Sequence, residues 1–316
     1  MDIRQLSALV AVAEGGSFSA AARRLHTVQS NISTHIARLE RELRATLVDR
    51  ATGELTEEGR IVLERARRIQ VELAAIAADV AAVRDEVTGD VRLGCIGTVG
   101  RWLVPLVFDR LSSEYPAVDL VVVDATTSSL VPRLLSDTLD VAVVNLPLTD
   151  DELVADPLFE EDHLLVVPEG HPLADRSTVY LTELADHELL LEPVGTSFRD
   201  SLDAAAEAVG IRLRARSEVD GLRLIATLAL QGYGAALVPV TAVPPMFVSS
   251  FPIRRIPVEG LARRQVGLAS RRRALPSAPV RALREVIAKV IAEGSLDFEG
   301  IHPLPELARS AGGADR

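Results

Sequence analysis

At 316 residues the chain is longer than one hydrophobic core ordinarily fills, so two or three domains are expected. Its 48% apolar and 25% charged residues exclude disorder throughout, and 3% aromatics makes the cores aliphatic. The net charge of −11 argues against DNA binding only until it is divided, because residues 1–68 hold 11 Arg against 9 acidic residues and leave 23 basic and 36 acidic for the rest. No apolar run approaches the roughly 20 residues of a membrane span, and MDIRQLSALVAVAEGG lacks the ordered regions of a signal peptide, so a cytoplasmic protein without a membrane partner is expected. A lone cysteine, Cys95, cannot form an internal disulfide, and within VRLGCIG it reads as a buried core thiol.

The chain opens with Ile3, Leu6, Leu9, Val10 and Ala13 at helical spacing, a stop at Gly15-Gly16, and Ser17 as the cap of SAAARRL. After a break near His26-Thr27, Ile32, Ile36, Leu39 and Leu43 fall on one inward stripe. The opposite face carries Ser30, Thr34, Ala37, Arg38 and Arg41, flanked by Asn31 and Ser33. Small polar side chains let a helix approach base edges, and arginines at its rim can neutralise phosphate, as a helix-turn-helix requires. A plain three-helix bundle with a solvated face fits the same pattern.

Thr56 can cap a long helix whose first turn holds Glu57 and Glu58, with Thr88-Gly89 as its stop. Between them Val62, Ala66, Ile69, Leu73, Ile76, Val80, Val83 and Val87 alternate spacings of 4 and 3, which is a coiled-coil seam. Such a helix is expected to pair with a second copy.

From Asp90 the period changes. VRLGCIG, VDLVVVD, DVAVVNL, HLLVVP, HELLLEP and AALVPV read as short strands buried on both faces, and VPLVFDRLSSEY, FRDSLDAAAEAVG and GLRLIATLALQG as the helices between them, giving an α/β fold. Open α/β sheets bind ligands beyond the carboxyl ends of strands, where helix N-termini present free N–H groups. Three such ends are Gly97-Thr98, the run DATTSS from Asp124, and Gly195-Thr196-Ser197. No nucleophile elbow, zinc helix, P-loop or paired-cysteine motif is present and the six histidines lack metal-ligand spacing, so no enzyme, metal or cofactor is expected. Arg271-Arg272-Arg273 reads as a solvated loop, and the tail from Gly294 as largely disordered.

The stretch LSALVAVAEGGSFSAAARRLHTVQSNISTHIARLERELRATLVDR followed by LTEEG resembles the winged helix-turn-helix of LysR-type transcriptional regulators, and EDHLLVVPEGHPLA and LALQGYGAALVP resemble their effector domain. Thr34, Val48 and the short Ala51-Thr52-Gly53-Glu54 stand where the family commonly has Arg or Lys, Phe and a longer basic wing, leaving Arg50 as the wing-side cation. The resemblance implies an all-α-dominated winged helix-turn-helix at 1–56, a linker and dimerisation helix at 57–88, and a two-lobed periplasmic-binding-protein-like α/β effector domain at 89–293. Its first lobe would take about 89–163 and 266–293, and its second about 164–265. It implies DNA contacts by Ser30, Asn31, Ser33, Thr34, Arg38, Arg41 and Arg50, and an effector cleft lined by Thr98, Thr127, Asn145, Thr196 and Ser197. The expected partners are double-stranded promoter DNA, a small-molecule effector for which an anion is compatible but not required, and a second copy or three. A binding protein that uses its N-terminal helices only to oligomerise is the alternative.

Overall fold

The computed structural model describes residues 1–50, 52–244, 251–294 and 298–304. Helices α1 (Ile3–Gly15), α2 (Phe18–Arg24) and α3 (Gln29–Leu43) pack their apolar faces together, with Leu9, Ala21, Ile32, Ile36 and Leu39 fully buried. Each break has a local cause. Gly16 ends α1 at φ 66°, a conformation that favours glycine; Ser17 accepts the Ala20 N–H at the start of α2; and His26 turns the chain at φ 50°. Leu43, expected on the buried stripe, is 39% exposed, because the chain turns into the left-handed conformation at Arg44 and lifts the last turn off the core. Glu40 on α3 then accepts the Leu47 and Val48 N–H groups, fixing the start of a wing closed by a Val48 to Leu55 bridge. Ala51 of the expected wing lies outside the described residues.

Helix α4 (Glu57–Ala82) is capped by Thr56 as expected but ends before Val83, six residues short of the predicted 88, in turns at Val83 to Asp85 with Asp85 at φ 61°. At 1.5 Å per residue its length is about 39 Å. The helix is held on both sides. Ala66 is buried against the N-terminal module, Arg67 pairs with Glu14, Arg68 pairs with Asp137, and Asp79 accepts the N–H of Ala278 and pairs with Arg281. Of the predicted seam, Val62 is half-buried against the N-terminal module, Ile69, Leu73, Ile76 and Val80 face solvent in a row, and Val83 lies past the helix end.

Two six-stranded mixed sheets follow. The first runs β12 (Ile301–Pro303), β4 (Leu153–Glu161), β11 (Arg264–Arg271), β3 (Val141–Asn145), β1 (Gly89–Cys95) and β2 (Val118–Asp124), covered by α5 (Gly97–Glu114), α6 (Thr127–Leu135) and α9 (Ala278–Gly294). The second runs β6 (Val179–Tyr180), β10 (Ile253–Glu259), β5 (His163–Pro168), β9 (Ala235–Pro239), β7 (Glu188–Leu191) and β8 (Arg214–Glu218), with α7 (Ser197–Ala208) and α8 (Leu222–Leu230) against it. The chain passes from the first lobe to the second between β4 and β5 and returns between β10 and β11.

Several expectations change here. The strand pattern of sustained burial holds for β1, β3, β5 and β9, but β2 lies at a sheet edge with Val121 and Val122 exposed, and the polar edge strand β8 gave no apolar signal. The segment after 293 is not wholly outside the fold: Phe298 and Ile301 are buried, Phe298 lies edge-on to Trp102 at 5.6 Å, and β12 adds to the edge of β4, which extends the first lobe beyond 293. The second-lobe boundary near 163 places His163 in the wrong lobe, since it opens β5 of the second sheet. Arg271 is no solvated loop residue, being paired with Asp137 and Glu152, while Arg272 donates to the carbonyls of Asp151 and Leu153.

Gly59 in the first turn of α4 meets the wing so closely that an added Cβ would stand 2.0 Å from the Leu47 carbonyl oxygen. Gly59→Ala is expected to cost about 1–3 kcal/mol by forced backbone displacement. Urea unfolding of the full chain measures it, and an unchanged midpoint and slope would contradict the contact.

Candidate functional site

The first candidate surface is the outer face of α3. Ser30, Asn31, Thr34, Arg38 and Arg41 are exposed there, with Ser33 half-buried at the wing side. The side chains are not equally free. Thr34 donates its hydroxyl to the Ser30 carbonyl at 2.8 Å, and Asn31 donates to Thr27 at 2.9 Å, so both arrive partly committed to the helix. Arg50 reaches back from the wing to Ser33 at 3.2 Å and Glu40 at 3.3 Å, its guanidinium 6.0 Å from the Phe18 ring. One residue was missed: exposed Gln29 opens α3 and accepts from Ser19 at the helix-turn-helix corner. The sequence signal for it was the break at His26-Thr27, which fixes where the helix can begin.

The second candidate is a cleft of about 960 Å³ between the lobes. Thr98, Thr127, Asn145, Thr196 and Ser197, chosen from separate stretches of sequence, all line it. The N-termini of α5 and α6 from one lobe and of α7 and α8 from the other reach this space, and none of the four has a side-chain N-cap hydrogen bond. Their orphan N–H groups give the cleft a donor-rich wall. Thr127 accepts the Asn145 N–H at 3.1 Å, tying the start of α6 to the end of β3. Thr196 donates to the Pro193 carbonyl and to Glu192.

Charged residues that the strand-end argument did not select complete the cleft. Asp124 at the end of β2 pairs with Arg223 on α8, joining the two lobes at the mouth, and a Cβ on Gly97 would stand 2.6 Å from Arg223 Nε and 2.8 Å from Asp124 Oδ1. Arg264 pairs with the fully buried Glu161 at 2.5 Å and donates to Thr98 at 2.9 Å and Thr241 at 3.4 Å. Glu161 also accepts the Thr241 N–H. Burial pushes the Glu192 carboxyl above its ordinary range, against the Thr196 hydroxyl and the Gly221 N–H that favour its charge. Arg264 and Glu192 carried no sequence signal because polar residues at strand ends are indistinguishable from solvated ones until the strands are assembled. Among the described residues no group of three or more His, Cys, Asp and Glu is placed to hold a metal, and no helix is long and apolar enough to cross a membrane.

A model of the bacterial regulatory helix-turn-helix protein, lysR family, matches residues 3–60, and one of the LysR substrate binding domain matches residues 84–292. The chain belongs to the LysR family. This LysR-family protein is a DNA-binding transcriptional regulator and not an enzyme. It is 33% identical over 300 residues to a probable hydrogen peroxide-inducible genes activator of Mycobacterium leprae (strain TN), covering 92% of this chain and 94% of that one. It is similar to a full-length OxyR variant from Pseudomonas aeruginosa, at a TM-score of 0.74 and 25% identity over 93% and 95% of the two chains. It is also similar to full-length CbnR complexed with its target DNA, at 0.64 and 27% over 92% and 99%.

One titrating group of this LysR substrate binding domain stacks on a residue that lines the cleft. His163 is buried and stacks on Phe198 at 5.8 Å. Burial lowers its imidazole from 6.5 to about 4, with the Arg264 cation acting in the same direction and Asp162 opposing. The unfolded chain therefore takes up this proton below pH 6.5 while the folded chain resists it down to about 4, so stability is present above 6.5 and is lost as pH falls between those values. His163→Gln is expected to reduce the slope of unfolding free energy against pH in that window by up to about 1.4 kcal/mol per unit. Urea titrations between pH 4 and 7 read the slope, and an unchanged slope would place the loss on other groups.

Proposed function

We propose that this regulator reads promoter DNA with α3 of two protomers and is switched by a small polar ligand held non-covalently between the lobes. Ser30, Ser33, Arg38, Arg41 and Arg50 would supply the DNA contacts, with Asn31 and Thr34 contributing through the helix they brace. Thr98, Thr127, Asn145, Thr196 and Ser197 would contact the effector. Residues 1–56 are assigned to DNA reading, the helix that follows to dimerisation and the remainder to effector response. The carrying observation is that five residues from four separate segments, named by the family resemblance, line one cleft on both lobes.

The exposed row Ile69, Leu73, Ile76 and Val80 supports pairing of α4 with a second copy, since an apolar row of this length on a helix otherwise loses its burial. A two-fold pair would present two α3 helices to half-sites about one DNA turn apart or a multiple of it.

Several relatives carry names that describe activators of hydrogen peroxide-inducible genes. This chain holds one cysteine, Cys95, which is 1% exposed, and burial pushes its thiol well above the ordinary range. A buried, protonated thiol is a poor nucleophile and has no second cysteine with which to close a disulfide. We therefore assign the switch to ligand binding instead of thiol oxidation.

The test of DNA reading is a salt titration of the full chain on duplexes selected from a randomised pool. Several neutralised phosphates give a steep negative log–log slope. Arg38→Ala is expected to weaken all duplexes alike and reduce the slope by about 1, whereas Ser30→Ala is expected to relax preference at one base pair, worth about 1–3 kcal/mol. A flat salt response would overturn the DNA-reading assignment.

A further inference from the structure

The charges of the interlobe cleft do not balance. Arg223 is taken up by Asp124 and the inner edge of Arg264 by Glu161. Glu192, Asp220 and Asp150 line the same space and have no cation within ion-pair distance among the described residues. Glu192 is half-buried and feels both Asp220 and Arg264, so an acidic wall and a basic residue address one region of the cleft. On the other side, the Arg264 side chain is 8% exposed and spends Nε and Nη2 on Glu161, Thr98 and Thr241, while its Nη1 has no hydrogen-bond partner among the described residues. Beside it the first turn of α5 offers N–H groups with no side-chain cap and no acidic residue.

Resting on the effector reading of this cleft, we propose that its ligand is amphoteric: a carboxylate seated between Arg264 Nη1 and the α5 N-terminus, and an ammonium seated against Glu192 and Asp220. A purely anionic ligand would leave the Glu192 and Asp220 carboxylates uncompensated and add charge beside them. A purely cationic one would leave the Arg264 edge and the α5 donors without an acceptor. A small molecule carrying both groups, such as a free amino acid, satisfies both ends and spans the lobes, so it favours one lobe arrangement over the other. The exposed Asp124–Arg223 pair sits outside this pairing.

The experiment is a thermal-shift series on the full chain at neutral pH with three sets of probes: the free L-amino acids and short ω-amino acids, their N-acetyl derivatives, and their carboxamides. The proposal expects one or a few free amino acids to raise the midpoint by several degrees, with neither capped series doing so. Glu192→Gln is expected to weaken the active probe at least tenfold, and Asp124→Asn to leave the requirement for both groups in place. Equal protection by the N-acetyl series, with protection abolished by Ser197→Trp, overturns the amphoteric ligand and retains the cleft as the effector site. Protection by a free amino acid that Ser197→Trp does not alter overturns both readings. Failure of every free amino acid, in the unaltered protein and in Asp124→Asn alike, overturns the ligand class.

Discussion

Glu161 and Arg264 face each other in register where β4 and β11 lie side by side, at the two places where the chain leaves the first lobe and returns to it. A fully buried carboxylate needs a partner, and a guanidinium with 8% exposure needs one as much. Their pairing fixes the crossover of both strands at once. The same guanidinium reaches Thr98 at the start of α5 and Thr241 just after β9, so the cleft floor, the crossover and the second sheet share one polar network. Any ligand that touches Thr98 or the free edge of Arg264 is therefore felt where the lobes join. His163, neutral behind this cation, belongs to the same arrangement.

Outward from the crossover, the connection to the DNA-reading module runs through α4. Adjacent residues on that helix reach different partners: Arg67 pairs with Glu14, which also binds Arg24, and Arg68 pairs with Asp137, which also binds Arg271 of β11. Asp137 holds a left-handed backbone at φ 55° between the two arginines. These half-buried pairs fix the position of α4 against the N-terminal module and the first lobe. The exposed apolar row Ile69, Leu73, Ile76 and Val80 occupies another face of the helix.

The sequence made visible whatever depends on periodicity or on local capping. Ser17, Thr56 and Gly16 mark helix ends by their own chemistry, and the buried strands β1, β3, β5 and β9 announced themselves as continuous apolar runs. The helix α4 was legible at its start, where Thr56 caps it, and not at its end, because the 4-and-3 spacing continues through Val83 and Val87 after the backbone has turned. The edge strands β8 and β12 were hidden since an edge position tolerates polar residues, and β12 depends on Phe298 docking against Trp102, far away in the chain. Hydroxyl residues at strand ends could be picked out in the cleft because α/β topology places strand ends there. Arg264, Arg223 and Glu192 could not, since their importance arises from partners that only the assembled lobes bring near.

The most direct test of this account is a double-mutant cycle at the crossover, with Glu161→Leu, Arg264→Met and the pair together, read by urea unfolding of the full chain. Each single change strands a buried charge and is expected to cost about 3–5 kcal/mol, while the double replaces both by apolar groups and recovers most of the summed loss, giving a coupling of about 5 kcal/mol or more. Single costs that simply add in the double variant would contradict the claim that this buried pair holds the two lobes at their crossing.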